Sequence, residues 1–278
     1  MRLSMSSLES ISLCTWNVNS LKVRFEQLKA LLASQNWDVV CLQETKMPDD
    51  KFPYEAFKEV GYHAFHAGQP TYNGVAILCR MNRFESIELV HAALPDREDP
   101  QQRFLMAKLD ELYVASAYFP NGQSVESDKY RYKLQWIDDL IQCLVQYGYG
   151  QQDFALLGDF NIAPDDADVH DPAQWHEQIL CSAEERKRFS QLIALELSDA
   201  FRALHPGERQ FTWWDYRQLA FQKNKGLRID HALISKTLLS RLQSCEILRQ
   251  IRKSEKASDH APLVIKLASL PTTDHLPN

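Results

Sequence analysis

Apolar stretches that end abruptly in polar residues recur along the chain. Ile11 to Val18 is strand-like, and Leu21, Phe25, Leu28 and Leu32 then fall on one stripe of a helix from Leu21 to Asn36. Asp38 to Thr45 is again strand-like, its core Val39-Val40-Cys41-Leu42 leading into Gln43 and Glu44. Gly74 to Arg80 predicts a further strand. Phe104 to Leu109 and Tyr113 to Phe119, separated by a short charged turn, predict an antiparallel hairpin. From Ser127 to about Gln146 the apolar positions Tyr130, Leu134, Ile137, Ile141 and Leu144 return to helical spacing, until Gly148 and Gly150 break it.

Phe154 to Leu157 shows no alternation, as expected of a strand covered on both faces. It runs into Gly158-Asp159-Phe160-Asn161 before Pro164 stops it. On an extended chain Asp159 and Asn161 point to the same side and can converge on one ligand; alternatively the strand ends in an Asx turn. Residues 165 to 171 are acidic and loop-like, and Ser182 with Glu185 has the spacing of a capping box opening a helix through about Leu197. His231 to Ser235, Ser244 to Leu248 and Pro262 to Leu267 predict closing strands. No repeat of fixed period is present.

Composition changes this picture little. A chain of 278 residues with 45% hydrophobic content can bury a sizeable core, as one large domain or two smaller ones. With no compositional break, the expectation is one domain over 11–268, an N-terminal extension over 1–10, and a frayed tail over 269–278, which has two prolines and few anchors. The six cysteines (14, 41, 79, 143, 181 and 245) are scattered and form no Cys-x-x-Cys, which suits buried free thiols in a reducing cytoplasm. The N-terminus lacks a long apolar stretch, and no apolar run reaches membrane-spanning length. A net charge of −6 argues against coating nucleic acid by bulk electrostatics. Local basic surface remains: Arg217, Lys223, Lys225 and Arg228 lie between Tyr216 and Ile229 without an acidic residue, and Lys129, Arg131 and Lys133 form a second cluster. Each is either a phosphate-binding surface or a solvated face.

Candidate chemistry sits at the strand ends. Asn17 and Asn19 follow Cys14-Thr15-Trp16, Glu44 ends the second strand, Tyr118 and Asn121 bracket Phe-Pro, Asp230 lies in Arg-Ile-Asp-His, and Asp259-His260 precede Ala-Pro-Leu-Val. Singly, each reads equally as a satisfied structural residue. Together they describe one crevice at the ends of a sheet, lined with oxygen ligands and one imidazole. Such ligands suit a hard cation, magnesium (Mg2+) with manganese (Mn2+) able to substitute, and disfavour structural zinc. Phosphoryl chemistry follows, but the absence of a Gly-x-x-x-x-Gly-Lys-Ser/Thr loop removes support for P-loop nucleotide hydrolysis.

Thr-Trp-Asn-Val-Asn (15 to 19), Leu-Gln-Glu-Thr-Lys (42 to 46), Gly-Asp-Phe-Asn (158 to 161) and Ser-Asp-His-Ala-Pro (258 to 262) resemble the endonuclease/exonuclease/phosphatase superfamily in order and spacing. Ala-Tyr-Phe-Pro-Asn-Gly (117 to 122), Phe-Thr-Trp-Trp-Asp-Tyr-Arg (211 to 217) and Gly-Leu-Arg-Ile-Asp-His (226 to 231) narrow the resemblance to exonuclease III and its abasic-site endonuclease relatives, from about Ser12 to Leu267. The resemblance implies an α/β fold: a DNase I-like, four-layer sandwich of two mixed β-sheets flanked by helices. It implies Glu44 as principal metal ligand, with Asn17 and Asp259 as further ligands or water-mediated partners. Asp159 matches the residue that orients or deprotonates the attacking water, and Asn161 a partner of the scissile phosphate. His260 matches a phosphate-contacting histidine and Asp230 the carboxylate that orients it. Tyr118, Asn121 and Asn19 fall on the phosphate side. Trp213 and Leu227, with Trp214 adjacent, match an apolar wall for a base-less sugar, while Lys129, Arg217, Lys223, Lys225 and Arg228 are expected to hold the DNA backbone. The implied activity is metal-dependent hydrolysis of the phosphodiester 5′ to an abasic site in duplex DNA, with 3′-5′ exonuclease and 3′-phosphodiesterase or phosphatase activity, by a monomer acting on duplexes with abasic sites or 3′ ends. The alternatives are a phosphodiesterase for another ester, RNA or a phosphoinositide, and a catalytically silent DNA-binding relative.

Overall fold

The computed structural model describes residues 10–268. In chain order these form β1 (Ile11–Asn17), α1 (Leu21–Gln35), β2 (Val39–Gln43), α2 (Tyr54–Glu59), β3 (Tyr62–Ala67), β4 (Val75–Arg80), β5 (Ile87–His91), β6 (Phe104–Leu109) and β7 (Leu112–Tyr118). There follow α3 (Asp128–Gln146), β8 (Phe154–Asp159), α4 (Pro172–Trp175), α5 (Ala183–Ala194), β9 (Leu197–Asp199), α6 (Ala200–Leu204), β10 (Asp230–Ser235), α7 (Lys236–Leu239), β11 (Leu242–Ile247) and β12 (Leu263–Leu267). Two six-stranded sheets result, ordered β11-β12-β1-β2-β4-β3 and β5-β6-β7-β8-β10-β9. Both are mixed: β1–β2 and β7–β8 are parallel and the remaining neighbours antiparallel, the β6–β7 hairpin included.

Alternation along the strands builds the layers. Leu13, Val39, Cys41, Ala155, Leu157, Ala232 and Ile234 are buried between the sheets. Their neighbours Trp16, Val40 and Leu42 pack outward on Leu21, Leu28 and Leu32 of α1, while Phe154, Leu156 and Leu233 pack on Trp136 and Ile137 of α3 and Phe189 of α5. The order helix, sheet, sheet, helix explains the unbroken apolar runs, since both strand faces are covered. The same period of two carries the functional groups inward. Counting on from Leu13, Leu157 and back from Ala232, Asn17, Asp159 and Asp230 fall on the inter-sheet side where the strands end. At Gly158 a Cβ would lie 1.8 Å from the Ala117 carbonyl oxygen of β7, so only glycine lets β8 reach Asp159 in this register.

The helices keep their expected starts. Ser127 Oγ accepts the Tyr130 amide at α3, and Ser182 with Glu185 closes the capping box of α5. One buried face and one boundary differ. The buried face of α3 is Tyr130, Lys133, Trp136, Ile137, Leu140, Cys143 and Leu144, rotated from the expected stripe so that Leu134 and Ile141 are only partly buried. Helix α5 stops at Ala194 rather than near Leu197, because Glu196 turns left-handed (φ 63°) and Leu197 enters β9. All six cysteines are buried free thiols. Among the described residues no helix is long and apolar enough to cross a membrane. The expected frayed tail (269–278) and residues 1–9 of the expected extension lie outside the described residues.

Candidate active site

The centre of the site is one amide joining two carboxylates. Asn17 Nδ2, at the end of β1, donates to Glu44 Oε1 and to Asp159 Oδ2, both at 2.9 Å. Glu44 follows β2 in a left-handed turn (φ 53°) whose carbonyl accepts the Ser20 amide at 2.8 Å. Asn161 is itself left-handed (φ 50°), and its backbone N–H donates to Asp159 Oδ1 at 2.9 Å. The strand therefore does end in an Asx turn, and that turn, rather than an extended chain, brings the two side chains together. Asn161 Nδ2 donates to the Phe119 carbonyl at 3.0 Å, and its Oδ1 accepts Asn121 Nδ2 at 3.2 Å.

Asp230 stands directly across the ladder from Asp159. Its Oδ2 accepts His260 Nδ1–H at 2.8 Å, and His260 Nε2 lies 3.8 Å from Asp159 Oδ2. Burial pushes the Asp159 carboxyl up; His260 and Asn17 oppose this, Asp230 and Glu44 add to it, and the result is about 7. Burial would depress His260, but Asp230 and Asp159 outweigh it and raise the imidazole to about 10. The two carboxylates thus favour the charged imidazole, while burial raises Asp159 above the ordinary carboxylate range. Loss of water and the adjacent Glu44 carboxylate push the Tyr118 phenol well up, keeping it a donor.

Four supporting residues were not singled out from sequence. Ser258 Oγ donates to the Asn17 carbonyl at 2.7 Å and accepts the His260 amide at 3.2 Å. Thr212 Oγ1 accepts the Ile229 and Asp230 amides, each at 3.0 Å. Trp16 Nε1 donates to the His260 carbonyl at 3.2 Å. Ser258 and Trp16 lie inside the recognised blocks and tie the first of them to the last; Thr212 lies in another block and gave no signal. The fourth is Lys46, whose ammonium sits 2.7 Å from Glu44 Oε2 and 2.6 Å from Asn19 Oδ1.

The donor chemistry fits a hard cation. Of Asp159, Asp230 and His260, whose ligand atoms lie within 4.8 Å of one another, the two carboxylates suit such an ion while the protonated imidazole does not; Asp230 Oδ1 is buried without a hydrogen-bond partner, and the site already draws one ammonium to Glu44. Glu44 stands apart from that trio, bridged to it by Asn17. As placed, Asn17 turns its nitrogen to the carboxylates and its oxygen to the Asn19 amide, so it joins the acids rather than adding an oxygen ligand. Asp259 is engaged through both oxygens, by Asn19 Nδ2 at 2.9 Å and Trp213 Nε1 at 3.0 Å.

Two clefts flank this centre. One, about 710 Å³, is lined by Tyr72, Arg103, Tyr118, Asn121 and the exposed Lys129. The other, about 350 Å³, is lined by His170, Trp175, Trp213, Arg217 and Lys225. Trp213 is partly exposed at its edge, but the rest of the expected apolar wall differs. Leu227 is fully buried beneath it with Val169 and Leu180, and Trp214 is fully buried against Phe221, its Nε1 on Asn224 Oδ1. The tighter packing follows from Gly226, where a Cβ would come within 2.5 Å of Trp214 Nε1.

The basic residues divide in the same way. Lys223 and Lys225 are exposed. Arg217 is exposed but folded onto Asp215, with Nε–Oδ1 2.9 Å and Nη2–Oδ2 2.6 Å, an acid just outside the acid-free stretch. Arg228, expected on the DNA backbone, is 1% exposed and spans Asp168 and Asp199. Lys133 is likewise buried, paired with Glu185, leaving only Lys129 and Arg131 of its cluster at the surface.

The family model described as endonuclease/exonuclease/phosphatase matches residues 14–260. Exodeoxyribonuclease III of Haemophilus influenzae is 37% identical over 262 residues, covering 90% of this chain and 97% of its own. Among solved structures, the 3′ phosphatase NExo from Neisseria bound to a product DNA hairpin superposes with a TM-score of 0.86 at 42% identity, over 92% of this chain and 99% of that one. An AP endonuclease from Archaeoglobus fulgidus does so with a TM-score of 0.87 at 32% identity, with the same coverage. With the two mixed sheets, the Asp159–His260–Asp230 group and this match over most of its length, the chain belongs to the endonuclease/exonuclease/phosphatase family.

Proposed function

We propose that the protein is a DNA repair phosphodiesterase of exonuclease III type. It hydrolyses the phosphodiester 5′ to an abasic site in duplex DNA and trims 3′ ends as an exonuclease and 3′-phosphodiesterase or phosphatase. The observation that carries the reading is one imidazole set between two buried carboxylates, His260 Nδ1 2.8 Å from Asp230 Oδ2 and Nε2 3.8 Å from Asp159 Oδ2, an arrangement that favours the charged imidazole. The similarity to exodeoxyribonuclease III, an AP endonuclease and a DNA-bound 3′ phosphatase supports DNA as the substrate.

In this mechanism Asp159 accepts the proton of the attacking water, its carboxylate oriented by the Asn161 N–H on Oδ1 and the Asn17 amide on Oδ2. His260 Nε2–H faces the reacting phosphate and neutralises charge that grows there, while Asp230 fixes its orientation through Nδ1. Tyr118, Asn121 and Asn161 supply neutral donors to the phosphate oxygens. Glu44 would hold magnesium, which would supply Lewis-acid polarisation of the phosphate when bound, leaving Asp159 to the water and Asp230 to His260. Trp213 and the 350 Å³ cleft would take the base-less sugar, and Lys129, Lys223 and Lys225 the flanking backbone. A monomer in a reducing cytoplasm suits six buried thiols.

The test is cleavage of three substrates with added magnesium: a duplex with one abasic site, a duplex with a 3′-phosphate, and a phosphoinositide. Cleavage of the DNA substrates alone is expected. Hydrolysis of the phosphoinositide in their place, or of none, overturns the reading.

A further inference from the structure

We propose that Lys133 is a positioning residue for the two asparagines on the phosphate side of the site; this rests on the nuclease reading above. Lys133 lies on the buried face of α3 with no exposed surface. Its ammonium has three hydrogens, and all three are used: on the Asn161 carbonyl at 2.6 Å, on the Asn121 carbonyl at 3.3 Å, and on Glu185 Oε1. The two carbonyls belong to the residues whose side-chain amides meet at 3.2 Å over Asp159. One of them, Asn161, is left-handed (φ 50°) and donates its backbone N–H to Asp159 Oδ1 at 2.9 Å, so a shift of its peptide reaches the carboxylate.

Glu185 is itself fixed. Its Oε1 accepts the Leu180 amide at 3.1 Å, and its Oε2 accepts the Ser182 amide at 3.0 Å and the Ser182 hydroxyl at 2.7 Å. Ser182 Oγ also meets Tyr130 OH of α3 at 2.6 Å. The start of α5 and the start of α3 are therefore locked together, and the ammonium at their joint faces the site's backbone. Stability alone does not call for this arrangement, since a well-packed apolar pair usually serves a core as well as a buried ion pair. An apolar pair lacks the donors that tie two separate loops, 120–122 and 160–162, to one point. Lys133 thereby sets the distance between Asn121 and Asn161, and through Asn161 the orientation of Asp159.

The experiment compares wild type, Lys133→Met/Glu185→Gln, Asn161→Ala and the triple combination on the abasic duplex. Turnover is normalised to the folded fraction read by near-ultraviolet circular dichroism in the same sample. The double variant, which removes both buried charges, is expected to fold, to keep KM within about threefold and to lose at least about tenfold in kcat per folded molecule. On the Asn161→Ala background the same pair of changes should cost measurably less than on wild type, because the part of their effect carried by the Asn161 side-chain amide is already gone. Smaller loss of kcat, loss carried by KM alone, additive losses in the cycle, or failure of the double variant to fold would each overturn the proposal. Wild type that cleaves no DNA would overturn the nuclease reading instead.

Discussion

Replacing Arg228 by methionine separates a core cation from a DNA contact. The guanidinium sits 2.7 and 3.1 Å from the two oxygens of Asp168, 2.7 Å from Asp199 Oδ2, 3.1 Å from His231 Nδ1 and 5.2 Å from the centre of the Phe201 ring. Methionine fills similar volume but leaves Asp199 without its strongest partner and Asp168 with Arg202 as its one remaining cation beside the Asp165 amide, both carboxylates being buried. Removing one partner of a buried ion pair costs about 3 to 5 kcal/mol, and at about 2 to 4 °C per kcal/mol for a chain of this size the melting temperature should fall by about 6 to 20 °C. The pH dependence has a definite sign. Burial would raise the Asp199 carboxyl, but Arg228 and His231 overcome this and hold it below the ordinary carboxylate range. A depressed carboxyl contributes stability that is present above its unfolded value, about 4, and is lost as pH falls below it. The gap between wild type and variant should therefore be full at pH 7 and narrow toward pH 3. Differential scanning calorimetry across that range measures it, and DNA affinity against salt, below the variant's melting temperature, should keep the wild-type slope. An unchanged melting temperature together with a slope reduced by about one would return Arg228 to the phosphate backbone and refute the reasoning.

Glu44→Ala should require far more magnesium for cleavage, because the carboxylate that stands apart from the Asp159 trio is gone; superimposable magnesium titrations for the two proteins would exclude Glu44 as a metal ligand. Trp213→Ala should reduce cleavage at an abasic site far more than duplex binding, and because the indole is only partly buried its stability cost should stay below the roughly 3 to 5 kcal/mol of a core tryptophan. A large melting shift with proportionate loss of every activity would place Trp213 in the core. Lys223→Ala/Lys225→Ala should lower the salt slope of DNA binding by up to about two without changing turnover at saturating DNA; an unchanged slope would remove this loop from the interface.

The strands that carry the site were legible because each is covered on both faces, so the cores of β2 and β8 read as unbroken apolar runs leading into Glu44 and Asp159, and β1 as a strand-like stretch ending in Asn17. Strands β3 and β5 lie at sheet edges, their positions half exposed, and gave no such run. What residue types cannot tell is whether a cation faces water. Arg228 and Lys133 look like Lys223 and Lys129 in sequence, and only the fold sets Asp168, Asp199 and Glu185 beside them. Asp215 escaped notice for a simpler reason, lying one position before the stretch counted as acid-free. The convergence of Asp159 with Asn161 was expected on an extended chain; it is reached through a left-handed turn, a backbone choice that the spacing alone does not specify.

The central claim, that Asp159 moves the proton while its neighbours hold the phosphate, is tested most directly by Asp159→Asn. The amide keeps the side chain's size and an oxygen for the Asn161 N–H but removes the proton acceptor. Binding of an abasic duplex and its single-turnover cleavage would be measured on the same samples. Affinity within about threefold of wild type with cleavage slowed at least about a hundredfold is the result expected of a general base. Cleavage at the wild-type rate, or loss of binding in step with loss of cleavage, would contradict it and make Asp159 a residue that positions DNA or supports the fold.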